Sequence, residues 1–217
     1  MSYLGSTISI KTSFTITFVG LIVSAILNLV ESIRTTLPHV RHILSLEACV
    51  AIIAAYFYSI FMEKTEAFGP INLPEITKYR YLDWAFTTPM MLLGICLFLA
   101  HHSKTTLTIF AYLGIVLFNY FMLYFGYLGE THKLDKTTAD IIGFIGYIGI
   151  FTILFKYVKN SKVNMFIFTA YAIIWAMYGF VYFLDDYNKN LIHNWLDLIS
   201  KALVGIGLWV YFSKILK

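Results

Sequence analysis

The sequence predicts an all-α membrane protein, a bundle of seven transmembrane helices. Three observations lead there. Of the 217 residues, 59% are hydrophobic and 13% charged, where a soluble domain carries about 25% charged residues. The mean hydropathy is +0.74. The apolar residues fall into seven runs, each long enough to supply the ~20 residues that one spanning helix needs. The same composition argues against a disordered chain, which combines few apolar with many charged residues. Four Pro and thirteen Gly argue against a collagenous one. Seven spans with short loops use almost all of this length, so one domain over residues 1–217 is expected, with no added soluble domain.

In chain order, helices are expected over 12–33, 37–62, 76–101, 105–128, 138–159, 163–184 and 191–215. The separators carry the breakers and charges. RTTLPH divides the first pair, and MEKTEAFGPINLP, with two prolines, the second. HHSK, GETHKLDK, KNSK and DDYNKN follow. In lipid every backbone polar group must be satisfied internally, so spans are helices or closed barrels. A barrel would need alternating segments of about ten residues, and the apolar runs do not alternate.

Orientation follows from the loops. One side collects Arg34, Arg41, Lys104, Lys156, Lys159, Lys162, Lys214 and Lys217 with Glu31 as its acid. The other collects Lys11, Lys64, Lys78, Lys133, Lys136 and Lys189 against eight acids. The positive-inside rule puts the C-terminus in the cytoplasm and, with seven spans, the N-terminus outside. The N-terminus lacks the pattern of a cleavable signal peptide. Cys49 and Cys96 both lie in apolar runs and are expected to be free and buried.

Five charged residues remain inside the spans: Glu47, Arg80, Asp83, Asp197 and Lys201. Each costs at least ~2.5–3.5 kcal/mol at the bilayer centre, which makes each a functional candidate. Lys201 lies about 15 Å deep in the last helix at 1.5 Å per residue. Asp197 stands four residues earlier on the same face. Asp83 lies about 10 Å deep in the third helix from the same side. Two carboxylates can therefore meet one amine, and Arg80, one turn further out, can bridge both. One reading is an ion-pair cluster stapling helices three and seven. The other is a lysine that forms a Schiff base with a carbonyl ligand, the two aspartates acting as counterions.

The flanking residues favour the second reading. Helix three reads YRYLDWAFTTPMMLLG, helix seven NWLDLISKALVG, and helix six contains WAMYG. R-Y-x-D-W-x-x-T-T-P together with D-x-x-x-K resembles the microbial rhodopsins, seven-helix retinal proteins of the membrane. The resemblance implies all-trans retinal on Lys201 as a protonated Schiff base. It makes Asp83 the primary counterion and proton acceptor, Asp197 the second counterion, and Arg80 the residue that orients both. Trp84, Thr87, Thr88, Met91, Trp175, Tyr178, Tyr182 and Ser200 would line the polyene, and Asn119, Met122 and Gly126 on helix four would approach the ring. Met91 implies green rather than blue absorption. Against the family pattern, the helix-six Pro is Gly179, its second Trp is Tyr182, and helix five offers no Trp.

Three helix-three positions sort the family: Asp83, Thr87 and Gly94 here. Asp83 disfavours a chloride pump, and the triad lacks the sodium-pump pattern. An outward proton pump is the natural reading. Many such pumps carry a carboxylate at the position of Gly94 to return the proton from the cytoplasm; glycine cannot. Glu47, about 14 Å deep in helix two, is the alternative donor. It also fits a hydrogen-bonded interhelix acid or a selectivity group in a cation pathway. Extracellular proton-release glutamates have no counterpart; Asp185 and Asp186 read as solvated loop acids. The short loops, Glu31, Arg34, Arg41, Glu47 and Trp209 resemble the small rhodopsins of giant viruses, which implies a homopentamer with Glu31 and Arg41 near a central pore. Arg34 and Arg41 equally fit headgroup anchors. His193 is the histidine nearest the pathway, and no metal-ligand spacing stands out. Lipid and further copies of the chain are the expected partners, and nucleic acid is not. The expected activity is transport, not enzymatic turnover; a light-gated cation channel is the alternative, and a photosensor ranks last.

Overall fold

A computed structural model describes residues 2–66, 71–159 and 161–213. The expected end of the seventh helix at 214–215, Lys214, Lys217 and part of the second separator lie outside these residues. The described chain folds as α1 (Ser2–Arg34), α2 (Pro38–Glu66), α3 (Leu73–His102), α4 (Ile109–Glu130), α5 (Lys136–Phe155), α6 (Lys162–Val181), α7 (Asp186–Asp197), a π-helical stretch (Leu198–Leu203) and α8 (Val204–Ser213). The last three run together as Asp186–Ser213, so seven helices among the described residues are long and apolar enough to cross a membrane.

The seven expected helices are all present, with shifted ends. α1 begins at Ser2 rather than 12, and the seventh span at Asp186 rather than 191. Hydropathy marks the stretch that lipid requires, whereas a helix continues into polar residues wherever a cap ends it. The expected separator DDYNKN is therefore mostly helix: Asp185 caps α7, accepting from the backbone N–H of Tyr187 and Asn188. α4 conversely starts four residues late, at Ile109, because Thr108 caps it by accepting from Ala111 N. Asp135 and Ser161 cap α5 and α6 in the same way.

The chain divides into two compact units, Met1–Asp83 with Leu184–Lys217, and Trp84–Phe183. In the first, the small residues Ala51, Ala54 and Ala55 of α2 pack in one core with Ile10, Phe14 and Leu21 of α1. Small residues let membrane helices approach closely. In the second, α4 and α5 meet at Gly146, where a Cβ would fall 2.7 Å from the Phe118 carbonyl oxygen. Tyr147 of α5 donates to the Ala172 carbonyl of α6 at 2.9 Å.

Exposure is inverted relative to a water-soluble fold. Phe110 and Phe166 are 83% and 70% exposed, while Arg80, Asp83, Asp197 and Lys201 are at most 1% exposed. Large apolar surface with buried charge is what a lipid solvent selects. One cysteine departs from expectation. Cys96 is buried, but Cys49 is exposed, because it shares a helical stripe with Ile52 and Tyr56, themselves 50% and 64% exposed.

Candidate functional site

Four of the five charged residues expected inside the spans, Arg80, Asp83, Asp197 and Lys201, meet at one place in the first unit. Lys201 sits in the π-helical stretch, a rare widened turn that recurs at functional sites. Its Nζ lies 2.6 Å from Asp83 Oδ2 and 3.4 Å from Asp197 Oδ1. The i, i+4 spacing of Asp197 and Lys201 persists through the wide turn. Arg80 Nη1 pairs with Asp197 Oδ2 at 3.0 Å. The four groups form a buried quartet of two cations and two anions. Lys201 Nζ reaches both carboxylates, and Arg80 pairs with Asp197 and acts on Asp83 through its charge.

A shell of neutral polar groups holds the quartet. The Tyr58 hydroxyl donates to Asp197 Oδ2 at 3.0 Å and accepts from Arg80 Nη1 at 3.1 Å. Arg80 Nη2 donates to Asn194 Oδ1 at 2.7 Å and to Asn190 Oδ1 at 3.4 Å. Asn194 Nδ2 donates to Ser13 Oγ at 2.8 Å, and Thr17 donates to the Asn194 carbonyl at 3.0 Å. Asn190 Nδ2 reaches Thr77 Oγ1 at 3.3 Å. The guanidinium also lies 5.0 Å from the Phe61 ring centroid, within cation–π range. Tyr58, Asn190 and Asn194 went unseen in the sequence. For the two asparagines the usable signal was helical spacing: Asn190, Asn194 and Asp197 share one face of the seventh span with Lys201.

The quartet is not the whole of the first unit's buried polar set. Ser200 is buried at its edge in sequence, and Glu47 is buried on α2. Glu47 Oε2 lies 3.6 Å from where a Cβ on Gly205 would stand, one turn beyond Lys201. Lys189 is buried and pairs with Asp186 at 2.9 Å; His193 is buried too. Asp185 acts as a cap rather than a free loop acid, and its bonds to Asn188 and Tyr187 hold its carboxyl below the ordinary value of 3.8. Glu31 pairs with Arg34 at 3.9 Å, while Arg41 donates to the Thr35 carbonyl at 2.9 Å.

In the second unit the expected aromatic residues gather. Trp84 meets Tyr178 edge-on at 5.3 Å, and Tyr171 stacks on Trp175 at 5.7 Å. Phe151 of α5 stands 6.5 Å from Trp175. Thr88 donates to the Trp84 carbonyl at 2.6 Å and accepts from Asn119 Nδ2 at 2.9 Å. Thr87 and Met91 are buried. Tyr182 donates to the Gly126 carbonyl at 3.0 Å. Met122 packs on Gly146, and the space beside Gly179 is filled by the Phe144 ring. Among the described residues no group of three or more His, Cys, Asp or Glu is placed to hold a metal ion.

The family model for bacteriorhodopsin-like proteins matches residues 9–215. The chain belongs to the bacteriorhodopsin-like family. Microbial rhodopsins of this kind are light-driven transporters and photoreceptors rather than enzymes. Membership implies a retinal chromophore and a multi-pass protein in a lipid bilayer. Among solved structures, this rhodopsin is similar to viral rhodopsin OLPVRII, with a TM-score of 0.90 and 36% identity over 95% of this chain and 98% of that one. The proton-pumping rhodopsin AR2 of the marine alga Acetabularia acetabulum shares the fold, with a TM-score of 0.77 and 20% identity over 96% of both chains. Among curated proteins, the green-light absorbing proteorhodopsin of a gamma-proteobacterium is 28% identical over 151 residues. That match spans 61% of this chain and 60% of the relative's own length. The residues present fit retinal: a buried primary amine stands between two carboxylates, which suits a chromophore carried on lysine as a cation.

Proposed function

We propose that this rhodopsin is a light-driven outward proton pump, one seven-helix domain over residues 1–217 that carries all-trans retinal on Lys201. The observation that carries the reading is the 2.6 Å contact between Lys201 Nζ and Asp83 Oδ2, a hydrogen bond along which a proton can move. Lys201 would hold retinal, which when bound would supply a light-driven isomerisation. Asp83 is placed to take a proton from the Lys201 nitrogen at Oδ2. Asp197 stays ionised because Tyr58, Arg80 and Lys201 all direct hydrogens at it. Arg80, tied to Asn190 and Asn194, keeps positive charge on the outer side of the acceptor.

The retinal-lining roles rest on the resemblance in sequence, the role of Glu47 on its depth in helix two, and the orientation on the charge of the loops. Trp84, Thr87, Thr88, Met91, Trp175, Tyr178, Gly179, Tyr182 and Ser200 line the polyene, and Asn119, Met122 and Gly126 surround the ring. Glu47 returns the proton to the Lys201 nitrogen, since Gly94 has no group to do so. The termini lie N-out and C-in, and the chain assembles as a homopentamer like the small viral rhodopsins it resembles.

Voltage clamp under illumination tests the reading. A pump current keeps its direction through zero voltage, and cells in unbuffered salt acidify the medium until a protonophore is added. A current that reverses with the ion gradients identifies a light-gated cation channel instead. No current with a long-lived photoproduct identifies a sensor. Asp83→Asn should shift absorption to the red and abolish transport; pumping at the normal rate in that variant removes Asp83 as acceptor.

A further inference from the structure

One turn beyond Lys201, about 6 Å along the helix axis, the first unit holds a second polar cluster that the acceptor site does not use. It converges on Gly205. A Cβ at that position would stand 2.4 Å from Ser24 Oγ, 3.0 Å from Asn28 Nδ2 and 3.6 Å from Glu47 Oε2. Cβ atoms do not come within 3.0 Å of other heavy atoms, so glycine is what allows α1 and α2 to bring these heads against α8. Ser24 and Asn28 are fully buried and Glu47 is 3% exposed.

The hydrogen bonding within the cluster is one-sided. Asn28 Nδ2 donates to the Ser24 carbonyl at 2.8 Å and to Ser24 Oγ at 3.2 Å. The bond to a carbonyl fixes which end of the amide is nitrogen. That leaves Asn28 Oδ1 buried with no donor among the described residues, in a setting where each buried polar group needs a partner. Glu47 Oε2 faces the same Gly205 position as the Asn28 amide. An ionised Glu47 has only acceptors to offer, whereas a protonated one has the hydrogen that Oδ1 lacks.

We infer that Asn28, held by Ser24, is a positioning residue for Glu47: its Oδ1 accepts the carboxyl hydrogen while the proton is stored, and Gly205 keeps the place open. The inference rests on Glu47 being the donor that returns the proton. It explains why the donor sits on α2 at this level. The cluster places the stored proton beside the turn that follows Lys201, and the amide holds it until the lysine nitrogen is empty.

The test uses the full chain reconstituted with all-trans retinal in lipid, read by light-minus-dark infrared spectroscopy and transient absorption. The carboxylic C=O band that disappears in Glu47→Gln belongs to the donor. In Asn28→Ala that band should move to higher frequency, because a carboxyl group that loses its hydrogen bond has a stiffer carbonyl. Reprotonation of the Lys201 nitrogen should slow by roughly tenfold, the rate equivalent of one lost hydrogen bond. Gly205→Ala and Ser24→Ala disturb the same cluster from other sides, so they read the same band if Asn28→Ala yields no pigment. A Glu47 band that stays in place in these variants, with slow reprotonation in Glu47→Gln, overturns the role of Asn28 alone. A Glu47→Gln variant with normal reprotonation and an unchanged carbonyl region overturns the donor reading and this inference with it.

Discussion

At the scale of the residue, the protein solves one electrostatic problem. Arg80, Asp83, Asp197 and Lys201 are at most 1% exposed, and they are tolerable only because their formal charges cancel at contact distance. Breaking such a set by removing one member costs about 3–5 kcal/mol, since the other charge is left uncompensated. Lys201→Ala should therefore give a colourless chain that unfolds at lower temperature than the retinal-free wild type. Adding Asp83→Asn restores the charge balance and should recover most of that loss. Thermal unfolding of the three retinal-free proteins in the same lipid checks this; a double variant no better than the single one would mean that charge balance does not govern the site. The four members were legible in the sequence, because a charge inside an apolar run is conspicuous. Their supports were not. Tyr58, Asn190 and Asn194 are ordinary helix residues by type, and Tyr58 meets Asn194 and Asp197 across 136 and 139 positions of chain. No local pattern announces such a pairing.

At the scale of the element, packing and capping explain where the helices stand and stop. α4 and α5 approach through Gly146, where an added Cβ would lie 2.7 Å from the Phe118 carbonyl oxygen and 3.0 Å from the Met122 backbone nitrogen. Backbone atoms cannot rotate away as a side-chain tip can. Gly146→Ala should accordingly cost about 1–3 kcal/mol, the usual range for overpacking, seen as a lower unfolding temperature of the pigment. A separate prediction belongs to the start of α7. Asp185 Oδ1 accepts from the Tyr187 and Asn188 backbone nitrogens at 3.1 Å, and these bonds hold its carboxyl below 3.8. A depressed folded value means stabilisation that is complete above 3.8 and is lost as pH falls through the folded value. Amide exchange at Tyr187 and Asn188 should speed up in that acidic window relative to Asp185→Asn, which caps the helix without titrating. Equal acid responses in the two proteins would show that the carboxylate does not hold the turn. The apolar cores of all seven spans were readable from hydropathy. The early start of α7 was not, because a capped polar turn looks like a loop to any measure of hydrophobicity.

At the scale of the whole molecule, the charge carried by the loops makes a prediction independent of the site. The loop with Lys104 belongs to the set rich in lysine and arginine, and the loop with Lys133 lies among the acids. Basic residues near span ends are retained on the cytoplasmic side. Sidedness can be read with a membrane-impermeant thiol reagent on intact cells, once the two native cysteines are removed; exposed Cys49 would otherwise react. In that background Lys133→Cys should label from outside and Lys104→Cys only after lysis. For the proposed pump, the result would also fix the direction of transport. Lys201 meets Asp83 and Asp197, and Asp197 leads back through Asn194 and Asn190 toward the start of α7, the end of the seventh span assigned to the outside. In the proposed pump, a proton handed to Asp83 would stand on the side of the lysine nitrogen that faces the start of α7, with the Glu47 cluster one turn beyond Lys201 in the other direction. If Lys104→Cys labelled from outside instead, the same internal asymmetry would drive protons inward, and illuminated cells would make the medium alkaline.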